Sequence, residues 1–101
     1  MGRKIVDNSE LVRWRDLEAR EVLLSLADYV KEDVSFLPRT SVRSTRWHAS
    51  VGGHELELLC TGARFFNPAT GVGGGGAIDL AMQLFNMPFR DAVALLREKG
   101  I

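Results

Sequence analysis

Half of the ten glycines in this chain lie in one segment, at Gly71 and at residues 73–76. The residues just before, 67–71, read Asn-Pro-Ala-Thr-Gly, and these residue types favour turns. Because glycine has no Cβ atom, such a segment can turn sharply or approach another backbone closely. We therefore expect the chain to turn here, between a strand on one side and a helix on the other.

Two helices are predicted after the glycines. The first covers about residues 77–85 and ends at Asn86, a residue type that tolerates the left-handed conformation of a C-cap. The second starts at Pro88, continues to about Glu98 and stops before Gly100. Their apolar stripes are Ile78, Ala81, Met82 and Phe85 in the first helix, and Phe89, Ala92, Val93 and Leu96 in the second.

The segment before the glycines has the composition of β-strands. Threonine, valine, serine and tryptophan dominate residues 40–51, and two glycines follow as a hairpin turn at residues 52–53. Residues 55–60 alternate between two faces, and residues 63–67 form a third short strand. The alternation places Leu56 and Leu58 on one face, Glu55, Glu57 and Leu59 on the other, and Phe65 and Phe66 on opposite faces.

The N-terminal third predicts helix. Apolar residues recur at helical spacing over residues 11–30, so we expect one long helix, or two helices joined near Arg15-Asp16. Asn8 or Ser9 is the expected N-cap, and Pro38 ends whatever element precedes it. The prediction is therefore one α+β domain over residues 1–101, with a loose terminus at 1–8, an N-terminal helix, an antiparallel meander of about three strands and two C-terminal helices.

Composition excludes several classes of protein. One cysteine, Cys60, cannot form an internal disulfide, and one cysteine with two histidines cannot build a four-ligand zinc site. The sequence has no apolar run of membrane-spanning length and no signal peptide, so we expect a cytoplasmic protein without a membrane partner or a cofactor. Thirteen basic and thirteen acidic residues give zero net charge, which argues against a strongly basic nucleic-acid binder.

The segment from Phe65 to Val93 resembles the end of the zinc-ribbon-type domain of bacterial DNA primases. That family has an aromatic strand, a Cys-x-x-Cys knuckle, a Gly-Gly turn, a helix that carries an aspartate, and a Glu-Ala-Val-x-x-Leu helix. In the ungapped register from Phe66 to Leu96, the two family cysteines fall on Pro68 and Gly71. The second ligand pair of the family would lie near residues 49–53, where no such pair is present.

The resemblance implies a zincless relative of this domain, of the kind found in primase-like proteins of plasmids, phages and conjugative elements. A structural zinc contributes on the order of 10 kcal/mol in small fingers, so its loss must be offset by a better core. Each buried apolar side chain contributes roughly 1.5–3 kcal/mol. The candidate core residues are Trp47, Leu56, Leu58, Phe65 or Phe66, Ile78, Met82, Phe89 and Val93.

Two features are candidate nucleic-acid sites. The glycine run precedes a helix N-terminus, where free N–H groups attract phosphate; the alternative is that the glycines allow close packing where a metal knuckle once lay. The meander mixes cations with rings, as single-strand binders do; the alternative is a solvated face, with Trp47 in the core and Arg46 and His48 opposite it. The candidate nucleic-acid-binding residues are Arg39, Arg43, Arg46, His48, Arg64, Phe66, Asn67, Thr70 and Gly74.

No catalytic constellation is recognisable. Asp79 lies in the first turn of a helix, where a carboxylate interacts with backbone amides. His48 and His54 lack a nucleophile or paired acid, and Cys60 ends an apolar strand and is expected to be buried. We expect a protein that is not an enzyme.

The leading hypothesis is a non-catalytic module that binds nucleic acid, single-stranded DNA above all, in the DNA processing of plasmids, phages or conjugative elements. Its arginines would contact phosphates, and a primase, helicase or relaxase is the expected kind of partner. The alternative is a protein-interaction or dimerisation module without DNA contact. In that case Leu17, Leu24 and Val30 are candidate interface residues.

Overall fold

A computed structural model describes residues 7–38 and 42–101, and it is an α+β fold. The strands form one five-stranded sheet in the order β1-β2-β3-β4-β5, with every neighbouring pair antiparallel. The prediction of about three strands was therefore too low. In chain order the elements are α1 (Asn8–Asp16), α2 (Ala19–Leu26), β1 (Tyr29–Glu32), β2 (Thr45–Val51), β3 (His54–Thr61), β4 (Arg64–Asn67), β5 (Val72–Gly75), α3 (Ala77–Phe85) and α4 (Phe89–Glu98).

The N-terminal region forms two helices, as one of the two predicted alternatives had it, with the break at residues 17–18. Leu17 and Glu18 adopt extended ψ angles of 144° and 130°, and the N–H of Ala19 donates to the Gly62 carbonyl at 2.8 Å. The N-cap is Asp7, and the predictions of Asn8 or Ser9 were wrong. The Asp7 carboxylate accepts the N–H of Glu10 at 2.8 Å, which satisfies one free donor of the first turn.

Strand β1 occupies residues that the helical spacing had assigned to the end of the long helix. The helix ends at Leu26, and the Asp28 carboxylate accepts the N–H of Gly52 in the β2–β3 hairpin at 2.8 Å. Val30 then pairs with Ala49. Tyrosine and valine favour strands, so this segment follows its residue preference once β2 is available as a partner.

Strand β5 is formed by the glycine segment that was predicted as a loop. Gly73 pairs with Phe66 and Gly74 with Phe65. Two side chains one helical turn apart on α3 bind the other edge of this strand: Asp79 accepts the N–H of Gly75 at 3.1 Å, and Gln83 donates to the Gly73 carbonyl at 3.3 Å. Asp79 thus has the structural role that its position indicates.

One face of the sheet packs against the helices and contains the core. Trp47, Leu58, Phe65 and Val93 are buried, whereas Leu56, Ile78 and Met82 are partly buried against them. Phe89 was expected in the core, but it is 47% exposed because it begins α4 at the rim of the helical layer. The remaining buried residues include Trp14, Leu23, Cys60, Leu80 and Leu96.

The C-terminal helices have the predicted bounds. Asn86 ends α3 in the left-handed conformation, with φ 52° and ψ 51°, and Gly100 follows α4 with φ 71°. The chain end packs on α1, because the Trp14 indole donates to the Ile101 carbonyl at 2.9 Å. Among the described residues, no helix is long and apolar enough to cross a membrane.

Candidate nucleic-acid interface

The sheet face opposite the core, called the open face, presents alternate residues of each strand to solvent. One cross-strand row on this face runs through β2, β3, β4 and β5, and consists of Arg46, Leu59, Phe66 and Gly73. These four residues lie side by side because directly paired residues in antiparallel strands point to the same face. The open face therefore combines a cation, two apolar side chains and a glycine in one line.

The apolar platform is defined as Leu59, Phe66 and Gly73, which are cross-strand neighbours on the open face. Phe66 is 41% exposed, although large aromatic side chains are usually well buried. A Cβ atom at Gly73 would lie 3.2 Å from Cδ1 of Phe66, so the missing side chain leaves this flank of the ring uncovered. A shallow depression of about 620 Å³ lies above this platform.

Arg64 lies two residues before Phe66 on β4 and faces the same side. It is exposed, and its side chain has no hydrogen bond or ion pair with any residue in the described part of the chain. A methyl group at Gly75 would lie 3.8 Å from the Arg64 Cγ atom, so the stem of the arginine extends over the glycines of β5. Its guanidinium is available to an anion beside the apolar platform.

The other half of the open face carries a charge ladder, defined as Arg46, His48, Glu55 and Glu57. Arg46 forms an ion pair with Glu57. The Nε2 atom of His48 lies 3.1 Å from Oε1 of Glu55, and its Nδ1 atom lies 3.9 Å from Oε2 of Glu57. Both candidate residues of this half, Arg46 and His48, therefore face carboxylates of the neighbouring strand.

Arg43 lies elsewhere, at the edge of the sheet beside α2. Its Nη2 atom is 3.9 Å from the Glu18 carboxylate, and its guanidinium covers Gly62, where an added Cβ atom would be 2.8 Å from it. The structure thus separates Arg43 from the other candidate arginines. Arg39 lies outside the described residues.

Three further candidates belong to the glycine segment and do not face the platform. The Asn67 side chain accepts the N–H of Ala69 at 2.9 Å, and the Thr70 hydroxyl accepts the N–H of Val72 at 3.3 Å. Gly74 faces the core side, where an added Cβ atom would collide with the Asp79 carboxylate. Asn67 and Thr70 therefore stabilise the turn between β4 and β5, and Gly74 allows β5 to pack against α3.

Two residues of the platform were absent from the sequence prediction of the site. The alternation of β3 already placed Leu59 on the face of Glu55 and Glu57, and this pattern could have identified it. Gly73 carried no usable signal, because its position depends on β5 pairing with β4. The glycine run was also considered for phosphate binding at the α3 N-terminus, but Gly76 and Ala77 are buried there, and Gly76 lies against the backbone of Arg15 in α1.

No group of three or more His, Cys, Asp or Glu side chains in residues 7–38 and 42–101 is arranged to hold a metal ion. Burial raises the pKa of the Cys60 thiol to about 12, so the thiol stays protonated near neutral pH. Cys60 is therefore a small core residue, as its position in an apolar strand indicates.

Comparison of this chain with protein-family models, curated proteins and solved structures finds no match. The relationship to the primase zinc-ribbon domain stays a prediction from the motifs of residues 65–96.

Proposed function

We propose that the open face binds single-stranded nucleic acid, with Phe66 as the stacking surface and Arg64 as the phosphate contact. The observation that carries this proposal is the juxtaposition of an exposed aromatic ring and an unpaired guanidinium on one strand, next to a strand of glycines. The resemblance to primase domains favours single-stranded DNA and a role in the DNA processing of mobile elements or phages.

The arrangement suits binding without sequence preference. Every nucleobase has a flat face, and stacking on an aromatic side chain contributes about 1–3 kcal/mol per base. Side chains two residues apart on a strand are separated by about 6.6 Å along it, so Arg64 can reach a phosphate while Phe66 contacts a base. The row of glycines allows the sugar and backbone to lie close to the sheet.

The charge ladder limits the strength and the salt dependence of this binding. Arg46 is already paired with Glu57, which leaves Arg64 and the exposed Lys31, the β1 neighbour of His48, to displace counterions from the open face. For single strands, each phosphate contact contributes about −0.7 to the slope of log K against log salt. We therefore expect weak binding with a slope that corresponds to one or two contacts.

Fluorescence anisotropy with a labelled oligothymidine tests the proposal. Phe66→Ala should weaken binding at least about tenfold, which corresponds to the loss of one stacked base. Phe89→Ala is the matched control, because Phe89 is exposed to a similar degree but lies on the helical side. Arg64→Ala should weaken binding and flatten the salt dependence, whereas Arg90→Ala, an exposed arginine of α4, should change neither. Absence of binding at low salt would refute the proposal.

The second candidate function is protein interaction without nucleic acid. The pairing of Arg46 with Glu57 favours it, because a guanidinium that is already paired adds little to the attraction of an anionic ligand. Of the three residues predicted for such an interface, Leu24 is 51% exposed, whereas Leu17 and Val30 pack against the core. Light scattering after size-exclusion chromatography distinguishes this case: a dimer that Leu24→Glu dissociates would support it.

A further inference from the structure

The two outer edges of the sheet differ in whether their backbone groups are covered. At β5, side chains of α3 cover the edge, because Asp79 accepts the N–H of Gly75 and Gln83 donates to the Gly73 carbonyl. At β1, no strand and no side chain of the described residues binds the outer edge. An uncovered edge strand presents a row of N–H and C=O groups to which another strand can add.

The register of β1 shows which of its backbone groups point outward. The N–H of Asp33 donates to the Arg46 carbonyl of β2 at 2.8 Å. In an antiparallel pair, alternate residues direct both backbone groups to the neighbouring strand, so Lys31 faces β2 in the same way as Asp33. Val30 and Glu32 therefore direct their N–H and C=O groups away from the sheet.

The most exposed large hydrophobic residues lie in β1 and in the connection that follows it. Tyr29 of this strand is 54% exposed, and Val34, Leu37 and Val42 of the β1–β2 connection are between 82% and 93% exposed. Every other large hydrophobic residue of the described chain is at most 51% exposed. Apolar side chains that cluster on a surface mark sites of interaction. The β1 edge thus combines unbonded backbone groups with apolar neighbours.

We propose that β1 pairs antiparallel with β1 of a second copy of this chain, which joins the two five-stranded sheets into one. The edge is complementary to itself: a two-fold axis at Lys31 pairs Val30 of each copy with Glu32 of the other, so every outward group of both residues is bonded. The apolar connection after one β1 then lies beside the start of the other β1, where Tyr29 is exposed. Zero net charge leaves no overall repulsion between the copies.

This dimer leaves the open face uncovered. Directly paired residues share a face of the sheet, so the open faces of both copies lie on the same side of the joined sheet. Phe66 lies on β4, three strands from the β1 edge. The two Lys31 side chains meet at the axis, and like charges directly opposite each other weaken the pairing. We therefore expect a dimer that dissociates at low protein concentration and does not depend on nucleic acid.

Sedimentation velocity of the full chain over a range of concentrations tests the dimer. The wild type should show a monomer–dimer equilibrium. Glu32→Pro removes an outward N–H and leaves the bonds to β2 in place, as proline does on edge strands. It should weaken the dimer at least about tenfold, because each copy loses a hydrogen bond of the interface. Glu32→Ala keeps this N–H and should associate like the wild type. Circular dichroism establishes that both variants are folded.

A cysteine at the two-fold axis tests the register. In the proposed pairing, the two Cβ atoms at position 31 are about 4.5–5.5 Å apart, which is close enough for a disulfide after a small adjustment. Lys31→Cys should form a covalent dimer under mild oxidation. Asp91→Cys, at an exposed position on α4, is the control and should remain a monomer. Cys60 is buried and adds no cross-link of its own.

Three outcomes would overturn the proposal. They are a monomer at every concentration, a dimer that Glu32→Pro leaves intact, and equal cross-linking of Lys31→Cys and Asp91→Cys. A dimer that Leu24→Glu dissociates but Glu32→Pro does not would place the contact on α2 and belongs to the second of these. Anisotropy with a short oligothymidine reports on the open face alone, so failure of the dimer and failure of nucleic-acid binding are separate results.

Discussion

The two halves of the open face differ in whether their polar groups already have partners. In the charge ladder, Arg46 and His48 face Glu57 and Glu55 on the neighbouring strand. In the apolar platform, Phe66 faces Gly73, and the adjacent Arg64 faces Gly75, so neither has a side chain opposite it on β5. The residues of the charge ladder thus have partners on the neighbouring strand, whereas Phe66 and Arg64 have none on β5. Counting arginines along the sequence does not reveal this difference.

The largest expected effect comes from a substitution in β5, the strand of glycines beside the platform. In Gly74→Ala, the new methyl group would collide with the Asp79 carboxylate and lie 2.9 Å from Cζ of the Phe65 ring. Overpacking and loss of the Asp79–Gly75 hydrogen bond should lower the free energy of unfolding by about 3 kcal/mol. Chemical denaturation measures this change.

Gly75→Ala is the matched control for that substitution. Its new methyl group would point to the open face, with Arg64 Cγ at 3.8 Å as its nearest contact. We expect a change in unfolding free energy within about 0.5 kcal/mol, as for other surface substitutions. Equal destabilisation by the two substitutions would contradict the assignment of Gly74 to the core side of β5.

A smaller effect is expected from removing one carboxylate of the charge ladder, which leaves an arginine there without a partner, as Arg64 is beside the platform. Glu57→Gln leaves Arg46 without its carboxylate partner, so Arg46 becomes available to phosphate. Oligothymidine binding at low salt should strengthen about threefold, and the salt slope should steepen by about 0.7. Glu21→Gln, which removes the same charge from the exposed side of α2, is the control and should change the slope little. A slope unchanged by Glu57→Gln would place the ligand away from the ladder.

The smallest effect concerns an ion pair outside the open face. The hydrogen bond from Arg97 lowers the pKa of Glu10 below its ordinary value. Because the folded-state pKa is the lower one, this stabilisation is present above the ordinary glutamate pKa of about 4.3. It is lost as the pH falls from there through the folded-state pKa. The melting temperature of Glu10→Gln should therefore fall less than that of the wild type between neutral and acid pH, which differential scanning fluorimetry measures.

Local signals predicted the C-terminal part of the fold nearly to the residue. Asn86, Pro88 and Gly100 each act on their own backbone, so the bounds of α3 and α4 could be found without knowing any distant contact. Strands β1 and β5 could not be found in this way. The spacing of Val30 fits helix or strand, and Gly73 is a strand residue only because Phe66 lies opposite it.

In the candidate site, the face on which each side chain lies could be predicted from the sequence, but its ion-pair partners could not. Alternation correctly separated Trp47 from Arg46 and Phe65 from Phe66, because a strand has a fixed two-residue period. The ion pairs of Arg46 and Arg43 depend on strand register and on the position of α2. Sequence spacing alone could not show that Arg64 would be the candidate arginine left without a partner in the described structure.

Titration of the ¹⁵N-labelled protein with unlabelled oligothymidine tests the central claim most directly. The account predicts that the amide resonances of Leu59, Arg64, Phe66 and Gly73 shift most, and that those of Leu11 and Phe89 on the helical side of the sheet stay in place. The Phe66→Ala protein should show these shifts only at much higher ligand concentration. Shifts centred on the helical side, or none at low salt, would contradict the assignment of the open face to nucleic acid.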